Sequence, residues 1–206
     1  MSVPRLMAIS SRAALGARSW ERWCRELAGA GVPSLQVREK DLDDRDLAGF
    51  ARIARAALVR PALLLINGRL DVATVTGADG VHLPADGLPT REVRRALGPG
   101  RLVGRSTHSL DEIRRARDEG ADYVLFGPVH ATPSKAGRLA PRGISSLAEA
   151  ARIGVPVLAL GGIDSPSRAQ EALAAGAHGV AGIRAFLDAG PAAEMLAAVL
   201  EASELR

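Results

Sequence analysis

The chain has 206 residues, of which 47% are hydrophobic and 24% charged, so it is long enough for a full-sized core and is not a mini-protein. No apolar run approaches the roughly 18 residues that a membrane-spanning helix needs, and the first residues lack the apolar stretch of a signal peptide, so we expect no membrane association and a cytoplasmic location. The single cysteine, Cys24, excludes an internal disulfide and a multi-cysteine metal site. A net charge of +4 with 3% aromatic residues argues against nucleic-acid binding.

Two of the 27 basic residues, Lys40 and Lys135, are lysines, and the others are arginines. In a chain that otherwise uses arginine as its surface cation, these two positions suggest a need for a compact ammonium with a tunable pKa. The alternative is that both are accidental exceptions.

Short apolar runs alternate with longer stretches of helical period, a pattern typical of parallel strands joined by crossover helices. The predicted strands cover residues 5–10, 34–39, 62–67, 80–83, 102–106, 123–129, 156–160 and 179–183. The predicted helices cover residues 18–30, 43–58, 69–77, 89–97, 109–119, 144–153, 165–175 and 191–204. Eight such units predict an α/β protein, a single (β/α)8 TIM barrel in one domain over residues 1–206. A flavodoxin-like open sheet is the alternative.

A Gly-Ala segment recurs before strands 2, 4, 6 and 8, at residues 29–32, 77–81, 120–124 and 176–180. A glycine in each copy suits the end of a helix, where the chain turns back into the sheet. Recurrence at every second strand favours the closed barrel, because alternate strands fill alternate layers of its core. An alanine-rich chain could also repeat Gly-Ala by chance.

Polar residues collect at the carboxyl ends of the predicted strands, where barrels of this class place their chemistry. Gln36, Arg38 and Lys40 alternate, so they share one face of a strand, which in a barrel points either inward or at the helices. Inward-facing charges at the mouth would suggest an anionic ligand. The alternative is an ion pair between Arg38 and Glu39 that closes the barrel. The connection after strand 6 is the longest and is a candidate lid. The predicted substrate contacts are Gln36, Arg38, Lys40, Asn67, His82, Ser106, Thr107, Thr132, Ser134 and Lys135.

Glycine-bearing turns end strands 7 and 8, at the place where such barrels commonly hold a phosphate on backbone N–H groups. The predicted phosphate-binding residues are Gly161, Gly162, Gly182, Ile183 and Arg184. Arg184 would add a positive charge to the backbone donors. A phosphorylated ligand is therefore the favoured interpretation.

The four histidines differ in their predicted roles. His130 follows strand 6 in the long loop and is the best general acid or base. His82 ends a strand and could contact the ligand, or could only make structural polar contacts at the mouth of the barrel. His108 is expected to cap a helix beside Ser109, and His178 is expected to be structural.

Several segments in order resemble the superfamily of thiamine phosphate synthases and TenI-type thiazole tautomerases, and the resemblance spans nearly the whole chain. The segments are QVREK at 36–40, NGRLDVA at 67–73, GVHL at 80–83, GRSTHS at 104–109, DYVLFGPV at 122–129, TPSK at 132–135 and GGI at 161–163. The resemblance implies either coupling of a pyrimidine pyrophosphate to a thiazole phosphate, or proton shifts that make a thiazole phosphate carboxylate aromatic.

The two branches of this superfamily need different residues. The synthase branch implies Mg2+ held by two aspartates, and this chain has Gly68 and Gly87 at those positions, with Asp86 beside the second. The tautomerase branch implies a histidine where this chain has Pro128, and His130 lies two residues further on. The other segments look more like the tautomerase branch, so we expect a tautomerase with His130 as the proton carrier.

Two alternatives stay open. One is a thiamine phosphate synthase, and the other is a non-catalytic barrel that binds a thiazole phosphate or has a regulatory role. The expected ligand is a small phosphorylated thiazole. We expect no metal site and no cofactor, with Mg2+ required only if the protein is a synthase, and a homo-oligomer is left open.

Overall fold

The computed structural model describes residues 1–132 and 139–204. Eight parallel strands close into a barrel in chain order, and the last strand pairs with the first. The strands are β1 Leu6–Ile9, β2 Ser34–Val37, β3 Leu63–Asn67, β4 Gly80–Leu83, β5 Leu102–Thr107, β6 Tyr123–Phe126, β7 Val157–Leu160 and β8 Gly179–Gly182. The (β/α)8 prediction is confirmed, and the open-sheet alternative is wrong because an open sheet leaves its edge strands unpaired.

Helices follow each strand on the outside of the barrel. They are α1 Arg12–Leu15, α2 Trp20–Gly29, α3 Asp44–Ala57, α4 Leu70–Val75, α5 Thr90–Leu97, α6 Leu110–Asp118, α7 Gly143–Ala151, α8 Pro166–Ala174 and α9 Ala189–Glu204, with a 3-10 helix at Arg184–Phe186. The short α1 and the 3-10 helix were not predicted, because runs of three or four residues carry too little periodicity. None of the described helices combines the length and apolar character needed to cross a bilayer.

The core has two layers, one between the sheet and the helices and one inside the barrel. The outer layer holds Trp23, Cys24 and Leu27 from α2, all buried. Cys24 therefore packs in the core, and burial raises the pKa of its thiol to about 12. The inner layer holds Met7, Leu65, Leu102, Tyr123, Leu125 and Leu158.

Strand β6 ends at Phe126, three residues earlier than predicted. Pro128 has no backbone N–H and cannot continue the hydrogen-bond ladder. The backbone beyond it still runs beside β7, because the N–H groups of Val129 and His130 donate to the carbonyls of Leu160 and Gly161 at 2.9 and 3.0 Å. The predicted Gly-Ala turns are also present, and Gly120 and Gly176 follow α6 and α8 with φ angles of +87° and +99°.

Candidate active site

The carboxyl end of β2 directs one arginine toward the mouth of the barrel. Gln36, two residues before this arginine, is buried. Its Nε2 atom lies 3.4 Å from Met7 Sδ in the inner layer. Arg38 lies on the same face of the strand, is half-buried, and its side chain makes no hydrogen bond or ion pair among the described residues. Lys40 is exposed beyond the strand.

The ion pair between Arg38 and Glu39 does not form. The buried Glu39 carboxylate faces the opposite side of the strand and accepts hydrogen bonds from Ser10 Oγ at 2.6 Å and from the Arg12 backbone N–H at 3.0 Å. Glu39 is therefore engaged by Ser10 and Arg12 and does not neutralise the charge of Arg38.

A chain of three polar side chains runs from the barrel interior to its mouth. His82 of β4 is buried, its Nδ1 atom lies 3.1 Å from the Tyr123 hydroxyl, and its Nε2 atom lies 2.8 Å from Ser106 Oγ. Burial, followed by the positive charges of Arg38 and Arg105, lowers the pKa of His82 to about 3. His82 is therefore neutral near pH 7 and is a poor proton carrier there.

The neighbouring end of β3 contains Asn67, which pairs in register with His82. The N–H group of Gly68 donates to the His82 carbonyl at 2.8 Å. Arg69 forms ion pairs with Asp44 and Asp71, and these contacts raise the pKa of Arg69 and lower that of Asp71. Asp71 is therefore committed to Arg69.

Arg105 of β5 holds the loop between β4 and α5. Its guanidinium donates to the carbonyl oxygens of Ala85 at 2.9 Å, Gly87 at 3.4 Å and Leu88. Sequence reasoning missed this residue, because the sequence shows no partner for a charge next to the predicted substrate contact Ser106. The structure thus places a cation at the carbonyl of Gly87, one of the two positions where the family pattern implies a metal-binding aspartate.

The remaining predicted substrate contacts are not gathered at one place. Thr107 is buried on the outer face of β5, and its Oγ1 atom donates to the Leu125 carbonyl at 3.2 Å. Thr132 is half-buried in the loop after β6. Ser134 and Lys135 lie outside the described residues.

His130 lies against helix α8. Its Nε2 atom is buried, makes no hydrogen bond among the described residues, and lies 3.5 Å from Glu171 Oε2. The cap of α6 is Ser109, whose hydroxyl accepts from the Glu112 N–H, so the prediction that His108 caps this helix is wrong. His108 Nδ1 instead faces the Gly127 carbonyl. The structural role of His178 agrees with its contact to the Val3 carbonyl at 3.1 Å.

The predicted phosphate turns pack closely on the loop after β6. Gly161 and Gly162 have φ angles of +96° and +68°, and a Cβ atom on them would lie 2.6 Å from Pro128 and 2.7 Å from His130. Gly182 ends β8 beneath the Phe186 ring, Ile183 packs on the inner layer, and Arg184 is exposed. These glycines therefore have a packing requirement that is separate from any phosphate contact.

The side chains do not fit a metal ion held by the protein. The described residues contain no group of three or more His, Cys, Asp or Glu side chains able to hold one. Residues 133–138 add none of these types in the sequence. Glycines occupy both implied aspartate positions, and a lone Asp86 is poor support for Mg2+.

Comparison with known proteins identifies the family. The model of a family described as thiamine monophosphate synthase matches residues 6–186. The chain belongs to this family. A Geobacter sulfurreducens relative is 50% identical over 163 residues, which are 78% of this chain and 76% of the relative. The thiamine-phosphate synthase of Anaeromyxobacter dehalogenans is 43% identical over 181 residues, 86% of this chain and 82% of the relative.

A solved structure of the family agrees with the barrel. The thiamine phosphate pyrophosphorylase of Pyrococcus furiosus superposes with a TM-score of 0.85 and 28% identity over 96% of both chains. The predicted resemblance is therefore confirmed. The names of these relatives support the synthase alternative rather than the tautomerase interpretation, which depended on the glycines at the two aspartate positions.

Proposed function

We propose that this protein is a thiamine phosphate synthase, a transferase that couples a pyrimidine pyrophosphate to a thiazole phosphate. The observation that carries the proposal is the chemistry of the mouth. Arg38, which has no side-chain partner in the described part of the chain, faces it together with a hydroxyl, Ser106. The histidine between them has a pKa lowered to about 3. Such a site can stabilise negative charge but lacks, in this histidine, an acid or base that titrates near pH 7.

The coupling reaction needs this equipment. The bond between the pyrimidine methylene carbon and a pyrophosphate oxygen breaks, and its electron pair leaves with the pyrophosphate. The thiazole ring nitrogen supplies the pair for the new carbon–nitrogen bond. No proton has to move in either step, so catalysis depends on orientation and on positive charge at the leaving group.

The residues of this chain divide into two groups in the proposed reaction. Arg38, with Lys40 and Lys135 as further cations, stabilises the departing pyrophosphate, and Gln36, Asn67, Ser106, Thr132 and Ser134 remain candidate contacts. Thr107 is withdrawn as a contact, because its side chain is buried on the outer face of β5. The glycine turns with Arg184 hold the phosphate of the thiazole. Because the donor set does not fit Mg2+, no step is assigned to a metal, and a phosphorylated substrate is stabilised by the cations of the chain itself.

The tautomerase alternative requires a proton carrier at the thiazole ring. The position implied for its histidine is Pro128, and the nearest candidate, His130, lies beside Glu171 of α8. The tautomerase alternative therefore needs the His130 imidazole to leave Glu171. The coupling reaction needs no such movement.

The test is product formation by the purified protein with both substrates. We expect thiamine phosphate to form in the presence of Mg2+ and also in the presence of a chelator. Arg38→Gln should lower kcat by about 10² to 10³, the range for removing one charge-stabilising donor. The matched control is Arg45→Gln, since Arg45 is exposed on α3 and should leave the rate unchanged.

Two outcomes would contradict the proposed activity, and a third would contradict only its independence of metal. Turnover of the thiazole precursor without coupling would restore the tautomerase. Binding of thiazole phosphate without either reaction would favour the non-catalytic alternative. Coupling that is abolished by chelation would keep the synthase and show that a metal enters with the pyrophosphate.

A further inference from the structure

The hydrogen-bond chain of Tyr123, His82 and Ser106 has a direction that its burial determines. Tyr123 is fully buried, and His82 Nδ1, at 3.1 Å, is the hydrogen-bond partner of its hydroxyl among the described residues. A buried O–H without an acceptor is costly, so the tyrosine proton points to Nδ1. The neutral imidazole then carries its own proton on Nε2.

The next link follows from the tautomer. The Nε2 proton is directed at Ser106 Oγ, 2.8 Å away, so this oxygen accepts a hydrogen bond. The serine hydroxyl keeps its own proton for a partner on the other side. Ser106 is half-buried at the inward-facing end of β5, so that side is the mouth of the barrel.

Packing holds Tyr123 in this position. Its ring lies across Gly104 of β5, where an added Cβ atom would be 2.1 Å from the ring carbon Cζ and 2.4 Å from the hydroxyl oxygen. The Tyr123 and His82 rings also stack, with centroids 5.6 Å apart. Packing against Gly104 and His82 therefore fixes the position of the Tyr123 hydroxyl, the donor at the buried end of the hydrogen-bond chain.

We propose that Tyr123 and His82 are positioning residues that make Ser106 a one-way hydrogen-bond donor to an anionic oxygen of the ligand. The positive charges of Arg38 and Arg105 act on the same imidazole and favour an anion at this place. The reverse orientation would present a serine lone pair to that anion. The inference rests on the proposed function only in taking pyrophosphate as the anion.

The first experiment measures the tautomer of His82 in the free protein. Long-range proton–nitrogen NMR on histidine-labelled protein distinguishes protonated from unprotonated ring nitrogens, and a His82→Gln spectrum assigns the signals. We expect the Nε2–H tautomer between pH 5 and 8. The Nδ1–H tautomer or an imidazolium in the wild type would overturn the proposal.

The second experiment measures the affinity for inorganic pyrophosphate by calorimetry. Ser106→Ala should weaken binding by about tenfold or more, the effect of losing a hydrogen bond to a charged group. Tyr123→Phe removes the proton that orients His82, so it should shift the tautomer and weaken binding by a similar factor. In the double variant the two losses should not add, because both remove the same bond.

Ser34→Ala is the matched control. Ser34 also has a buried hydroxyl, which donates to the Leu6 carbonyl at 2.7 Å at the opposite end of β2, and this variant should bind pyrophosphate normally. Additive losses, unchanged affinity of Ser106→Ala, or no pyrophosphate binding by the wild type would each overturn the proposal. If the tautomer and the non-additive losses of Ser106→Ala and Tyr123→Phe are as expected but the coupling assay fails, only the proposed function is overturned.

Discussion

The Nε2 atom of His130 and the Oε2 atom of Glu171 lie 3.5 Å apart. This contact joins the loop after β6 to helix α8. The side chain of His130 is mostly buried by this contact and by the close approach of Gly162. The pair separates the two catalytic hypotheses, because only the tautomerase needs this imidazole at the substrate.

The first prediction concerns His130→Asn, which keeps a polar side chain but cannot cycle a proton. If the protein is a synthase, the coupling rate should change by no more than a few fold, since no proton is transferred. A tautomerase would instead lose about 10² to 10⁴ in rate. Steady-state assays of both reactions on both proteins decide between them, and Glu171→Gln controls for loss of the contact with α8.

The second prediction concerns the pH dependence of stability through His82. Its pKa is about 3 in the folded protein and about 6.5 in the unfolded chain. Between these values the unfolded chain binds a proton that the folded protein does not, so stability falls as the pH falls below about 6.5. This residue adds at most about 1.4 kcal/mol per pH unit to that slope.

Urea unfolding of wild type and His82→Gln from pH 7.5 to 4.5 checks the slope. The other titrating groups are common to both proteins and cancel in the difference. The wild type should lose more stability on acidification than the variant. Parallel curves would show that the folded protein carries a readily protonated His82.

The third prediction concerns the turn after β7. Gly161→Ala places a Cβ atom 2.6 Å from Pro128 at a φ of +96°, so it should destabilise the protein by at least about 1 kcal/mol. Gly49→Ala in α3 is the control, since a Cβ atom there meets nothing within 4 Å. Removing a glycine from a helix interior should stabilise by about 0.5 to 1 kcal/mol. Equal thermal midpoints for the two variants would contradict this account.

The fourth prediction concerns Asp79 at the amino end of β4. Its buried carboxylate accepts from Arg55 at 2.7 Å and from the Leu64 N–H at 2.8 Å. Asp79→Ala should cost about 3 to 5 kcal/mol in urea unfolding, because it removes the carboxylate that neutralises the largely buried Arg55 guanidinium. Asp111→Ala removes an exposed ion pair with Arg114 and should have little effect. A small loss for Asp79→Ala would show that water replaces the carboxylate.

The local pattern of the sequence was sufficient for the barrel. Apolar runs alternate with helical stretches at short spacing, so the class of fold could be predicted from them. The alternation of Gln36, Arg38 and Lys40 predicted that they share one face of β2 but not which way that face points. The family followed from motifs such as those at residues 36–40 and 122–129. The tautomerase branch was favoured because Gly68 and Gly87 replace the implied aspartates, whereas the names of the relatives support the synthase alternative.

Only the tertiary structure decided which polar side chains meet. Ser106 and Thr107 are adjacent, yet one faces the mouth and the other is buried on the outer face of β5. His130 lies beyond the strand, where alternation no longer sets direction, and its orientation depends on Glu171, which is distant in sequence. Arg105 likewise depends on the carbonyls of a loop that precedes it. Backbone periodicity is a local property, whereas these orientations depend on contacts between distant elements, which the sequence pattern alone does not contain.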